Sequence, residues 1–266
     1  MLRAELVTLF RRMRVRALLI VLAGVPVLLA VAVYLSGGPS SGRGPTFLDQ
    51  VSRNGVFAAL AGLTVTLPFF LPLTVSIVAG DSIAGEAGLG TLRYLLTRPS
   101  GRTRLLFVKA ATVGVFCLVS ALVVALGGLL AGVVLFPIGE VVTLSGTTVS
   151  LAEGMVRTFG ASLVVGFSLM GLAAIGLFVS TLTDVPVGAM AATVGLAVLS
   201  AVLDSVPQVH SIHPWLFTHE WLSFGDLLRT PVRWTAIRKD LVLQLGYVLV
   251  FGSAAWARFA SKDVLA

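Results

Sequence analysis

The residues that could carry catalysis in this sequence are few, and their spacing satisfies none of the common sites. His219 and Glu220 open the pattern HExxH, in which two histidines one helical turn apart hold zinc beside a general base, but Ser223 stands where the second histidine belongs. His210, His213 and His219 share one stretch with Trp215, Trp221 and several prolines, the composition of a membrane interface, so they are expected as interfacial histidines without a metal. The glycine-rich run GEAGLG at 85–90 has the composition of a phosphate cradle but not its context, and GxxxxGK[ST] occurs nowhere in the chain. No Ser, His and Asp set falls at one depth, and Asp204 has no second aspartate beside it. Gln244, the one amide well inside an apolar run, suits a hydrogen bond between helices or a contact to substrate. No catalytic, cofactor-binding or metal-binding residue is assigned on these grounds, and the chain is not expected to be an enzyme by itself.

The chemistry that remains is electrostatic and lies in residues 80–109, a polar interruption between two apolar runs. Asp81 and Glu86 lead, a small-residue segment follows at 85–91, Leu92, Leu95 and Leu96 fall at helical spacing, and Arg98, Arg102, Arg104 and Lys109 close it. This pattern predicts a short amphipathic helix lying at the membrane surface and ending where Pro99 forbids continuation. An ordinary loop whose arginines only set topology is the plainer reading of the same residues.

The elements that would position this stretch follow from composition. The chain has 266 residues, of which 57% are hydrophobic and 12% charged. With a mean hydropathy of +1.00 it belongs in a bilayer rather than in water. Long apolar runs without strand-like alternation suit helices and not a barrel. The net charge of +7 fits attraction to anionic lipid; no basic surface interleaved with aromatics points to nucleic acid. Cys117, the single cysteine, lies in an apolar run and can form no intrachain disulfide.

In order, residues 1–16 place Leu2, Leu6, Leu9, Phe10 and Met13 on one helical face and five arginines mostly elsewhere, which predicts an interfacial helix feeding the first span. A secretory signal peptide is the rival reading, disfavoured by the length of the apolar run and the lack of a small-residue cleavage site. Six spans are predicted, at about 17–35, 55–79, 110–136, 158–180, 187–203 and 241–256, within a single domain covering 1–266. Pro68 and Pro72 predict a kink or break in the second span, with plain bending preferred to a pathway-lining break. Gly128 and Gly132 let another helix approach closely, either inside the subunit or in a dimer. The spans are read as lacking the buried charges of ion-coupled carriers, and residues 204–240 as an outer loop of re-entrant or interfacial helices. With the N-terminus inside, the inner segments carry five, five, none and two Lys and Arg against two, one and four outside, which favours both termini in the cytoplasm.

Glu86, Gly90 with Thr91, and the run LLTRPSGRTRLLFVK at 95–109 resemble the signature of ABC type-2 (ABC-2) permeases, the membrane subunits of bacterial ATP-driven exporters. In that family an E-x3-GT-x3-LL-x-RPxSR-like stretch follows the second span. PWLF at 214–217, DLLRTPVRW at 226–234 and ARFASKDV at 257–264 are similar to the family's final loop and closing segment, so the likeness runs over essentially the whole chain. SGR stands where the family often has VSR.

The resemblance implies an all-α integral membrane protein of the ABC-2 exporter fold: six transmembrane helices, an N-terminal interfacial helix, and an inner coupling helix at about 81–97. It implies two permease copies, as homodimer or heterodimer, joined to two copies of an ABC ATPase subunit that bind the ATP and magnesium. It also implies the bacterial cell membrane as location and efflux of a small or amphipathic compound, such as an antibiotic or a lipid-linked molecule, with antibiotic resistance as a setting. Asp81, Glu86, Gly90, Thr91, Leu92, Arg98, Pro99, Arg102 and Arg104 are the positions carried over as ATPase-coupling residues; anchoring of the arginines to lipid headgroups stands beside that reading. The alternative is a membrane anchor or sensor that recruits a cytoplasmic partner without moving substrate.

Overall fold

A computed structural model describes residues 1–36, 48–90 and 101–261. The chain opens with α1 (Leu2–Arg11), breaks at Arg12, whose ψ of 127° is extended, and resumes as α2 (Met13–Leu35). Arg16 holds the break by donating to the carbonyls of Phe10 and Arg11 at 3.2 and 3.0 Å, the last acceptors of α1. A short α3 (Leu48–Val51) leads to α4 (Phe57–Thr66) and α5 (Phe70–Gly88), which are bent by 59°. Two missing donors explain the bend, since neither Pro68 nor Pro72 can return a hydrogen bond to the preceding turn.

The long α6 (Arg102–Leu135) follows, then a hairpin of β1 (Val141–Val142) and β2 (Thr148–Val149), which turns at Gly146 with φ +80°. α7 (Leu151–Ser168) and α8 (Met170–Leu182) form a nearly continuous rod, α9 (Pro186–Ser205) returns, and two 3-10 segments, Pro207–Trp215 and Trp221–Leu228, precede α10 (Trp234–Ser261). Five of these stretches are long and apolar enough to cross a membrane, and the bent α4–α5 pair qualifies as a sixth. The protein is an all-α multi-pass membrane protein.

The bent pair is the centre of the bundle. Phe57, Leu60, Leu63, Leu67 and Leu71 are wholly buried, with Leu22 of α2, Phe116 of α6 and Leu172 of α8 packed in the same core. Ile20, Leu28, Val134, Val242 and Leu249 instead point outward and are well exposed, the surface expected of a bundle whose solvent is hydrocarbon. Gly128 and Gly132 pack against α4 within the same chain. A Cβ on Gly128 would sit 2.6 Å from the Ala58 carbonyl, and one on Gly132 would overlap the Gly55 carbonyl. The small-residue stripe therefore serves internal packing.

Two expectations need correction. Residues 80–88 do not begin a separate surface helix: α5 carries straight through them to Gly88, and the chain turns at Leu89 and Gly90, whose φ of +69° suits glycine. Asp81 and Glu86 therefore sit near the C-terminal, negative end of a spanning helix, where the dipole opposes them, and not at a favourable N-terminus. The spanning helices are also not free of buried charge. α6 and α10 start several residues before their apolar cores, at 102 and 234, and so bring Lys109 and Asp240 into the bundle, 3% and 0% exposed.

Candidate functional site

Because α5 presents two carboxylates at its unfavourable end, cations must reach them from other helices. Arg12, at the α1–α2 break, meets Asp81 at 2.9 Å. Lys109, one of the most buried cations among the described residues, donates to Glu86 of α5 and to Glu5 of α1, the latter at 2.5 Å. Glu5 lies in the first turn of α1, where the helix dipole favours it. The trio of one ammonium and two carboxylates carries one more negative than positive charge, and the neighbouring Arg12–Asp81 pair leaves that excess unchanged. A cavity of about 240 Å³ opens between α1, α2, α5 and α6, with Glu5, Arg12, Asp81 and Lys109 at its polar end. A wider groove of about 880 Å³ runs past Arg14, Glu86, Leu89 and Val187, and Leu89 and Val187 on its rim are 80% and 71% exposed.

The end of α5 is also stitched to its neighbours. The Ser180 hydroxyl of α8 enters the hydrogen-bond ladder of α5: it accepts from the amides of Ile83 and Ala84 at 3.1 and 2.9 Å and donates to the Gly80 carbonyl at 2.6 Å. On the opposite side Gly80 lies so close to α9 that a Cβ would stand 2.7 Å from the Met190 nitrogen. Ser180→Ala should cost about 1–3 kcal/mol, because it removes three buried hydrogen bonds between α5 and α8. The check is denaturant titration of the purified chain, and an unchanged midpoint would show that the α5 ladder closes by itself.

Of the residues singled out in the sequence, the structure brings Asp81 and Glu86 into this cluster and places Gly90 at the turn that ends α5. Arg102 instead donates to the Ala260 carbonyl at 2.9 Å, tying the start of α6 to the end of α10, and Arg104 is exposed on the first turn of α6. Thr91, Leu92, Arg98 and Pro99 lie outside the described residues. Sequence reasoning missed Lys109 as the hub, with Glu5 and Arg12 as its neighbours. One signal was available: Glu5 is the only acid among the first sixteen residues, an odd placement on a basic interfacial helix.

A second polar knot joins α7, α10 and the loop between the 3-10 segments. Ser168 donates to Asp240, Gln244 donates to Asp240 at 2.9 Å and to the Phe217 carbonyl at 2.8 Å, and the Trp221 indole donates to the Ser168 carbonyl at 3.0 Å. Gln244 thus links its own helix to the loop, in place of the bond between helices that its position suggested. His213 and His219, expected as isolated interfacial residues, converge on Asp204, while His210 is exposed and outside that group.

Comparison with known proteins gives a family and two relatives. Residues 26–265 match the family described as protein of unknown function (DUF2705). A probable ABC transporter permease protein NosY of Pseudomonas aeruginosa is 34% identical over 146 residues, 55% of this chain and 48% of that protein. The protein of the same description from Stutzerimonas stutzeri is 35% identical over 99 residues, 37% of this chain and 32% of its own length. The chain therefore spans about half or less of the curated relatives it matches. Since the family match runs across nearly its whole length, the chain belongs to the DUF2705 family.

Proposed function

We propose that this chain is the membrane-spanning permease subunit of an ATP-driven exporter of the ABC type-2 class, moving a small or amphipathic compound out of the cell. The observation that carries the reading is the clamped end of α5. It is pinned by Arg12 and Lys109, spliced to α8 through Ser180 and pressed on α9 at Gly80, so a force applied near Glu86 is delivered to several spans at once. The relatives named as probable ABC transporter permeases support the same reading.

In this scheme the chain hydrolyses no ATP. A separate ABC ATPase, two copies for two permease chains, binds ATP and magnesium and seats on the groove beside Arg14, Glu86 and Leu89, with both termini of this chain on the same cytoplasmic side. Exposed Leu89 and Val187 offer the apolar contact, and Arg14 the charge, that such a docking surface requires. The apolar interior of the bundle suits hydrophobic cargo, among them antibiotics.

The test uses the chain reconstituted in lipid vesicles with its ATPase partner. ATP should drive movement of an amphipathic dye, and Leu89→Asp combined with Arg14→Glu should reduce ATPase co-purification at least tenfold. Both positions are exposed, so the fold tolerates the change. Undiminished ATPase binding by the double variant would refute the docking surface; binding without any flux would establish an anchor or sensor instead of a transporter.

A further inference from the structure

The end of the bundle far from the Lys109 cluster carries a convergence of side chains that the transport reading does not use. α9 starts beside the end of α5, where Gly88 approaches the Asp184 carbonyl, and its 20 residues carry the chain roughly 30 Å to Asp204. There His219 Nδ1 lies 2.5 Å and His213 Nδ1 4.0 Å from Asp204 Oδ1, with the two rings 5.6 Å apart. One ligand atom from each of the three side chains falls within 4.8 Å of the others.

The orientation of His213 points to what belongs between them. Its Nε2 is 3.2 Å from the Val206 carbonyl, which can only accept, so Nε2 carries the hydrogen. In the neutral ring Nδ1 is then a lone pair facing a carboxylate, a repulsive pairing that a cation between them turns into two bonds. A backbone carbonyl on the distal nitrogen is the usual support of a metal-bound imidazole. Asp204 is also the penultimate residue of α9, so the negative helix end adds to its charge.

The backbone between the histidines is held before any ion arrives. Tyr247 donates to the Trp215 carbonyl at 2.8 Å, Gln244 to the Phe217 carbonyl at 2.8 Å, and the Ser200 and Thr218 hydroxyls bond at 2.8 Å. All three ligating side chains remain partly exposed, which leaves an entry path from solvent.

We propose that Asp204, His213 and His219 bind one divalent transition cation of the zinc type, with a fourth position open to water or an external ligand. Two imidazole nitrogens and one carboxylate oxygen are the donor set of tetrahedral zinc, with bonds of about 2.0–2.2 Å. On binding, His219 exchanges its 2.5 Å hydrogen bond to Asp204 for the metal bond and the pair opens, while His213 moves in from 4.0 Å. Calcium and magnesium, which want six or more oxygens or retained waters, are poorly served. The ion would clasp the first 3-10 segment and the loop that follows it to the end of α9.

The experiment titrates zinc into the chelator-washed, detergent-solubilised full chain by calorimetry. One ion per chain is expected, not displaced by excess magnesium, with at least tenfold weaker binding in His213→Gln, His219→Gln and Asp204→Asn and no change in His210→Gln. A second measurement needs no variant: zinc should protect His213 and His219, but not His210, from diethyl pyrocarbonate in the wild-type chain. Absence of saturable binding, binding that survives the paired histidine substitutions, or equal modification of all three histidines with and without zinc would each overturn the site. None of these outcomes depends on the transport reading.

Discussion

Lys109→Met is expected to destabilise the folded chain by about 3–5 kcal/mol, the usual consequence of leaving buried carboxylates without their cation. Lys109 is 4% exposed in its side chain and bonds two carboxylates from different helices, so its loss removes the ammonium that Glu5 and Glu86 share at the negative end of α5. The gross attraction in this trio is large, but so is the cost of taking three charges from water, and the net value of the intact cluster is small. A sharper expectation follows: Glu5→Gln with Lys109→Met and Glu86→Gln should recover most of the stability lost by Lys109→Met alone. In the proposed transport cycle, activity should not return with it, because the triple variant has no charged hub holding α1 to α5. Stability can be read from denaturant titration in mixed micelles and transport from the vesicle assay. A single variant as stable as the wild type, or a triple variant less stable than the single one, would show that the cluster is not the lock described.

Gly132→Ala should be about as severe, at roughly 3 kcal/mol, the upper end of the usual cost of overpacking. Most added methyl groups are accommodated by a side chain turning away. At Gly132 the added Cβ would overlap the backbone carbonyl of Gly55, and the Gly55 amide is itself fixed by a 3.0 Å bond to the Pro137 carbonyl. Nothing there can rotate aside, so α4 and α6 must separate and uncover the central core. Gly24→Ala is the matched control: a Cβ at Gly24 would meet nothing within 4 Å, and alanine is the better helix former, so that variant should be neutral or slightly more stable. Thermal inactivation of the two variants side by side checks the pair, and equal midpoints would remove the close approach from the account.

Much of the architecture was legible because a bilayer makes simple demands. Spans must be long, apolar and helical, so runs of uncharged residues marked where they lie and in what order, and prolines at 68 and 72 marked the bend. Edges were less legible. Helices α5, α6 and α10 run past their apolar cores because buried ion pairs and hydrogen bonds support polar turns that hydropathy excludes. That misjudgement hid Lys109 and Asp240, both assigned to loops by charge alone.

Alone, the sequence determined that this is a helical membrane protein and that Asp81 and Glu86 open a polar interruption, residues 80–109, between two apolar runs. Only the tertiary structure decided what those acids do. Glu5, Glu86 and Lys109 come from three helices, with 104 and 23 residues separating the lysine from its partners, and Asp204, His213 and His219 meet only because α9 and α10 pin the loop between them. Hydrophobic burial acts on each segment separately and so leaves a periodic trace along the chain. Ion pairing and ligation act between segments at a few ångströms, and that proximity exists only once the bundle has closed.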